Sequence, residues 1–307
     1  MSILFGPIYS RRFGKSLGID LSPHTKQCNY DCLYCELTPA KTVDHQEEVL
    51  PLEEVVSAVK EGIDRHPDID VLTLTANGEP TLYPHLDVLV EQINSFKQDI
   101  RTLILSNGST IADPAIQRTL HRIDTVKLSL DCATPRCFKR LDRPAPGIEL
   151  ESILSGMLAF RAQGHTPLII EILIVAGIND KPAEITALND YLLRLRPDRI
   201  DLGTIDRPPA YEVPPVTYDQ LYAIAQQFDP DLPVHITHRK QTDAVPESYS
   251  KEDILATLAK RPLTPDDVTI LFDEASQKRL EAMVQDGQIV SLHNNGVDFF
   301  KIRPENH

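Results

Sequence analysis

No apolar run in this sequence is long enough to cross a bilayer. The longest, LIIEILIVAGI at 168–178, is interrupted by Glu171 and falls well short of the roughly 20 residues a span requires. It reads as a buried strand, and no membrane partner is expected. The N-terminal stretch MSILFGPIYSRR places its charges after its apolar residues, the reverse of a secretory signal. Net positive charge is lacking too. Lys and Arg number 31 against 45 Asp and Glu, a formal charge of −14. That excludes attachment to nucleic acid by bulk charge, though not through a local basic groove. Cysteines number only five, three of them together. So few argue against a disulfide framework and for metal binding or redox chemistry in a reducing, cytoplasmic setting. Sequence repeats and low-complexity tracts are absent.

What is present is alternation. Short β-rich runs occur at 16–21, 70–76, 101–107, 125–130, 168–175 and 199–205. Helical periodicity fills the gaps between them. Leu52, Val55, Val56, Val59 and Ile63 mark one apolar face, and Leu86, Leu89, Val90 and Ile93 mark another. Asp113-Pro114 reads as an N-cap followed by proline at the first helical position. TYDQ at 217–220 reads as a capping box. Six strand–helix units in series predict an α/β fold with a parallel sheet and right-handed crossovers. Both an open doubly wound sheet and a (β/α) barrel of fewer than eight units fit the pattern. In either, ligands gather at the C-terminal ends of the strands.

A proline-rich loop, DRPPAYEVPPV, covers 206–216, and a second break lies near 238–248. The expected division is a first domain over 1–240 and a small second domain over 247–307. In the second, SKED and TPDD open two helices, and a third covers about 275–286. GQIVSLHNNGVDFFKIR at 287–303 reads as a hairpin around an Asn-Gly turn. Three helices and a hairpin suggest a winged-helix-like unit. From 247 to 303 it holds seven basic and ten acidic residues, a poor composition for reading DNA. Packing on the barrel, or docking a protein or peptide, fits it at least as well.

The chemistry lies in CNYDCLYC. Cys28, Cys32 and Cys35 directly follow the first strand and its extension, on the functional rim. Structural zinc closes with four ligands and usually recruits two paired knuckles. No second pair is present, although His24 or a remote residue could supply a fourth ligand. An iron–sulfur cube on three thiolates instead leaves one iron open to a chelating small molecule.

With Tyr34 as the aromatic, C-x3-C followed by C-x-aromatic-C resembles the signature of the radical SAM superfamily. The resemblance covers about residues 9–230 and implies a partial (β/α)6 TIM-like barrel. It implies a 4Fe-4S cluster held by the three cysteines and S-adenosylmethionine (SAM) on the open iron. It further implies reductive cleavage of SAM to a 5′-deoxyadenosyl radical that abstracts hydrogen. NGEP at 77–80 resembles the family's Gly-Glu-Pro motif, so Gly78, Glu79 and Pro80 are expected near the SAM ammonium. Ser106, Asn107, Ser129 and Asp131 end strands where ribose hydroxyls or the SAM carboxylate would lie. Tyr34 and Ile178 are expected beside the adenine.

A narrower resemblance, carried by GPIYSRRFGKSLGID and DRPPA, points to a branch near the wyosine-forming tRNA enzymes. Residues 1–27 contain no cysteine, no flavodoxin domain is expected ahead of the barrel, and Cys132 and Cys137 are too few for a second all-cysteine cluster. These departures argue against wyosine chemistry itself. The substrate is left as an RNA base, a peptide or a metabolite, with flavodoxin or ferredoxin as the kind of electron donor. Arg11, Arg12, Lys15 and Arg207 are candidates for an anionic substrate or the SAM carboxylate, unless they pair with acidic neighbours. Cys132 is a candidate hydrogen-atom donor or a small core residue. Two alternatives stay open: a non-catalytic metal-stabilised adaptor, and a redox-sensing nucleic-acid-binding protein.

Overall fold

The computed structural model describes residues 2–10, 13–236, 246–260, 262–294 and 297–303. The chain opens with two antiparallel strands, β1 (Leu4–Ser10) and β2 (Gly14–Asp20). There follow α1 (Leu52–Arg65), β3 (Val71–Thr75), α2 (Leu86–Phe96), β4 (Arg101–Ser106), α3 (Pro114–Leu120) and β5 (Thr125–Ser129). Next come α4 (Pro135–Leu141), α5 (Leu150–Gln163), β6 (Leu168–Ile174), α6 (Pro182–Leu195), β7 (Arg199–Thr204), α7 (Tyr218–Ala225) and β8 (Val234–Ile236). The eight strands form one sheet in sequence order, parallel from β2 onward. Nearest-neighbour order with helical crossovers is consistent with a partial barrel.

All six sequence-predicted strands are present. Two edge strands escaped the reading. β1 has Gly6-Pro7 at its centre and an irregular register between Phe5 and Ile8, so it lacks clean alternation. β8 is too short to show a period. The helices follow their apolar faces: Val55, Val56 and Val59 are buried in α1, and Leu86, Leu89, Val90 and Ile93 in α2. Asp113 caps α3 through the Ala115 amide, and Thr217 with Gln220 forms the capping box of α7. Strands apolar on both faces, with Leu72, Leu74, Ile104, Val126, Leu128, Ile170 and Ile172 buried, form the main core.

A second core lies beyond residue 246. It gathers Ile254 and Leu258 of α8 (Lys251–Lys260), Val268 and Leu271 of α9 (Pro265–Leu271), and Leu280 and Met283 of α10 (Glu274–Gln285). β9 (Ile289–Asn294) and β10 (Val297–Ile302) pair antiparallel beside it. The expected Asn-Gly turn at 295–296 and most of the 238–248 break lie outside the described residues. This segment meets the barrel at β1. Ile8 packs on the second core, and the Tyr249 hydroxyl donates to the Pro7 carbonyl. Among the described residues no helix is long and apolar enough to cross a membrane.

Candidate cofactor site at the strand ends

The cysteine loop leaves β2 and is held by backbone bonds from three directions. From β3's end, the Gln27 amide donates to Asn77 O at 2.9 Å and the Glu79 amide donates to Gln27 O at 3.0 Å. From α4's end, Leu141 O accepts from the Leu33 amide at 2.9 Å and Asp142 O from the Asp31 amide at 3.2 Å. From the proline-rich loop, the Ala210 amide donates to Cys35 O at 2.8 Å. The Gln27 side chain secures the following segment by accepting from the Glu47 and Glu48 amides at 2.6 and 2.9 Å. Gly78 makes the first attachment possible. It sits at φ +143°, and a Cβ there would fall 1.9 Å from the Gln27 carbonyl oxygen. Only glycine permits that approach.

Cys28, Cys32 and Cys35 are free thiols, each partly buried. Polar groups address their sulfurs. The Tyr30 amide lies 3.4 Å and Asn107 Nδ2 3.7 Å from Cys28 Sγ, and Lys26 Nζ lies 3.5 Å from Cys35 Sγ. Cys32 Sγ is 3.8 Å from Asp142 Oδ1. Burial, with the nearby Glu79 charge, pushes the Cys28 thiol up to about 12. Burial and then Asp142 raise Cys32. Three soft thiol donors on one loop, with N–H groups aimed at two of them, suit an iron–sulfur cluster. Among the described residues no three His, Cys, Asp or Glu side chains converge on a single ion position. A cluster does not require that, since each thiolate takes a separate iron.

Glu79 lies just beneath this loop, 1 % exposed. Oε1 accepts from the Thr81 amide (2.9 Å), the Thr81 hydroxyl (2.6 Å) and the Ser106 hydroxyl (2.7 Å). Oε2 accepts from the Asn107 amide at 2.7 Å. Burial raises this carboxyl, and the four hydrogen bonds pull the other way. Glu79 thus braces the end of β3 against the end of β4, and Pro80 opens a buried 3-10 turn beside it. Asn107 joins the Asn29 side chain at 2.9 Å.

A small cavity separates the loop from β5 and α4. Tyr30, Tyr34, Asn107, Ser129, Asp131 and Asp142 line it. The Tyr34 hydroxyl donates to Asp131, which also accepts from the Leu173 amide at 2.6 Å. Burial pushes the Asp131 carboxyl up to about 7 against the Tyr34 bond. The Tyr30 hydroxyl is buried and meets no hydrogen-bond partner among the described residues.

Other sequence candidates land elsewhere. Ile178 joins the main core instead of lining the cavity. Lys15 is buried and forms ion pairs with Asp68 at 2.7 Å and with Glu247. Arg207 pairs with Glu36 at 3.1 Å. These two cations pair with carboxylates, the alternative to anion binding that the sequence left open. Arg11 and Arg12 lie outside the described residues. Cys132 borders the cavity but is disulfide-bonded to Cys137, so it carries no S–H to donate as a hydrogen-atom source. The end of β5 and the first turn of α4 bring the two Cα atoms to 5.5 Å, within bridging range.

Asp142 and Tyr30 had no signal of their own in the sequence, and Asn179 had a weak one. Asn179 is fully buried and clamps β6's end to β5's, accepting from the Val175 amide at 2.7 Å and donating to Asp131 O and Leu173 O at 2.9 Å each. A polar residue directly after the apolar run 168–178 was the one available hint.

The family model described as the radical SAM superfamily matches residues 22–188. A UPF0026 protein of Helicobacter pylori is 39% identical over 302 residues, covering 98% of this chain and 97% of its own length. A UPF0026 protein of Methanocaldococcus jannaschii is 31% identical, covering 98% and 96%. A solved radical SAM methyltransferase from Sphaerobacter thermophilus superposes with a TM-score of 0.57 at 15% identity, covering 72% of this chain and 66% of that one. The last likeness concerns the fold alone. The chain belongs to the radical SAM superfamily, whose members use a 4Fe-4S cluster and SAM, and it groups with the UPF0026 proteins.

Proposed function

We propose that this chain is a radical SAM enzyme. The observation that carries the reading is the cysteine loop: three free thiols at the strand ends, fixed by backbone bonds, with donors aimed at two of the sulfurs. Cys28, Cys32 and Cys35 would each hold one iron of a 4Fe-4S cluster. Bound there, the cluster and SAM supply reductive cleavage of the sulfonium and a 5′-deoxyadenosyl radical for hydrogen abstraction. The chain's own part is to seat them. Gly78 lets β3's end close on the loop, and Glu79 with Ser106 and Asn107 fixes the adjoining strand end. Tyr34, Ser129 and Asp131 line the small cavity beside the loop.

In this reading residues 1–240 form the catalytic barrel in the cytoplasm. Residues 247–307 form a winged-helix-like domain, and a flavodoxin or ferredoxin supplies the electron. Substrate hydrogen abstraction belongs to the same proposal, with RNA, peptide and metabolite as candidate classes.

Anaerobic reconstitution should give about four irons per chain, and dithionite with SAM should release 5′-deoxyadenosine. Cys28→Ala, Cys32→Ala and Cys35→Ala should each abolish release. Persistent cleavage in those variants would overturn the assignment. Zinc in oxygen-free protein, with no SAM cleavage, would favour a metal-stabilised adaptor instead.

A further inference from the structure

The helix that cradles the cysteine loop has an unusual charge pattern for so acidic a protein. α4 buries Cys137, Phe138 and Leu141. Its exposed side carries Arg136, Lys139 and Arg140, followed directly by Arg143. Spacings of three and four residues put Arg136, Lys139 and Arg140 on one face of the helix, and Arg143 lies just past its end. The nearby acids of the same segment, Asp131 and Asp142, are both buried. Among the described residues, Arg136 and Lys139 have no ion pair, and Arg140 reaches only the Gly177 carbonyl, at 3.4 Å.

Helix stability does not account for the pattern. Like charges three and four apart repel across a helical face. The helix dipole favours cations in the last turn, which covers Lys139 and Arg140. It disfavours Arg136, two residues beyond the Thr134 cap. Arg143 adopts a left-handed conformation, φ +49°, just past the helix end where glycine is the common choice. There its guanidinium sits 4.8 Å from the centre of the Tyr211 ring and 3.1 Å from Asp31. Tyr211 in turn donates to Asp31 at 2.7 Å. The cationic face therefore runs along α4 from Arg136 past Arg140 to the mouth of the cysteine loop, flanked by Glu184 at the Thr134 cap and by Asp180 beside Gly177. It ends at an aromatic ring backed by a guanidinium.

We propose that this face binds the backbone of a single-stranded nucleic acid and delivers a base to the candidate site. Three cations over about 6 Å of helix, with Arg143 just past its end, match several successive phosphates better than one. A basic track with an aromatic platform is the general recipe for single-strand binding. Chemistry on a base also requires it outside a stacked duplex. The acidic C-terminal segment has no part in this contact. The assignment rests on the radical SAM reading for what happens to the base, but not for binding.

The test is fluorescence anisotropy with a labelled 12-residue oligouridine RNA and the full-length, anaerobically reconstituted protein, between 50 and 200 mM salt. Binding should weaken linearly with the logarithm of salt, by about 0.7 of a power of salt for each phosphate contacted on a single strand. Arg136→Glu with Lys139→Glu should cut affinity at least tenfold and flatten that slope by about 1.4, two contacts at about 0.7 each. Lys278→Glu on α10 should leave affinity unchanged. Unfolding temperatures of both variants identify any loss caused by misfolding, and Arg136→Lys should keep the binding that Arg136→Ala loses. No binding at 50 mM salt, a loss confined to Lys278→Glu, or equal affinity for an oligo-glutamate of the same charge would overturn the proposal. RNA binding without SAM cleavage would leave it standing and remove the enzyme reading. SAM cleavage without RNA binding would do the reverse.

Discussion

The cysteine loop and the C-terminal segment are both attached to the barrel, by different means. The loop is fastened mainly through backbone amides and carbonyls from β3, α4 and the proline-rich loop. The C-terminal segment is fastened at β1 and β2 through side chains: Lys15 of β2 to Glu247, Tyr249 to the Pro7 carbonyl, and Ile8 in the second core. Backbone attachments barely depend on pH and fix position closely. Side-chain attachments titrate and tolerate displacement. A loop that must present three sulfurs in a set geometry gains from the first kind, since a shift of about 1 Å can disable a site. A unit that docks needs only the second kind.

If that contrast holds, the largest effect should come from Gly78→Ala. Its Cβ would meet the Gln27 carbonyl oxygen at 1.9 Å, and backbone on both sides leaves little room to relax. The conformation alone costs about 1–3 kcal/mol for a residue with a side chain. The expected outcome is loss of most iron loading with a clear fall in unfolding temperature. Full loading would show that the loop does not depend on this attachment.

Glu79→Ala should come next. It strips four donors of their acceptor in a dry setting, each worth about 1–3 kcal/mol when left unsatisfied. Relaxation and water entry will recover part, so a loss of about 3 kcal/mol is expected in urea unfolding. Glu79 carries a sign as well. Its carboxyl is raised in the folded state, so the folded protein prefers the protonated form. Stability from this group alone therefore falls as pH rises from below the ordinary carboxylate range through the folded value. Glu79→Ala should flatten that slope, and an unchanged acid limb would show that the bracing is not charge-dependent.

The same contrast explains what was legible in the sequence. Strands β2 to β7 and most helices could be read because each buries a local period of apolar residues. The three cysteines could be read because their spacing is local. Gly78 and Glu79 were placed near the cofactor by motif alone, while their bracing bonds depend on Gln27, Thr81, Ser106 and Asn107, which only the fold assembles. Lys15 and Arg207 were ambiguous because a cation's partner is a tertiary fact. Lys15 meets Glu247 across more than two hundred residues of chain. The Cys132–Cys137 disulfide was missed because cysteine scarcity speaks against a framework and says nothing of one local pair.

The smallest effect should come from the side-chain attachment. Burial by itself would lower the Lys15 ammonium, but its bonds to Asp68 and Glu247 outweigh burial and raise it. Its hydrogen bond to Asp68 holds that carboxyl below the usual range. A raised ammonium contributes stability fully below its unfolded pKa, and that contribution fades as pH climbs through the folded value. A lowered carboxylate contributes above its unfolded pKa, and that contribution fades as pH drops through the folded value. The contact is therefore intact across neutral pH and lost towards both extremes. Because Asp68 is 64% exposed and Glu247 27%, Lys15→Met should cost only about 1 kcal/mol at neutral pH. Faster hydrogen exchange should appear in α8 and not in the cysteine loop. Equal acceleration in both would mean that the two attachments share one cooperative unit, and the contrast between them would fail.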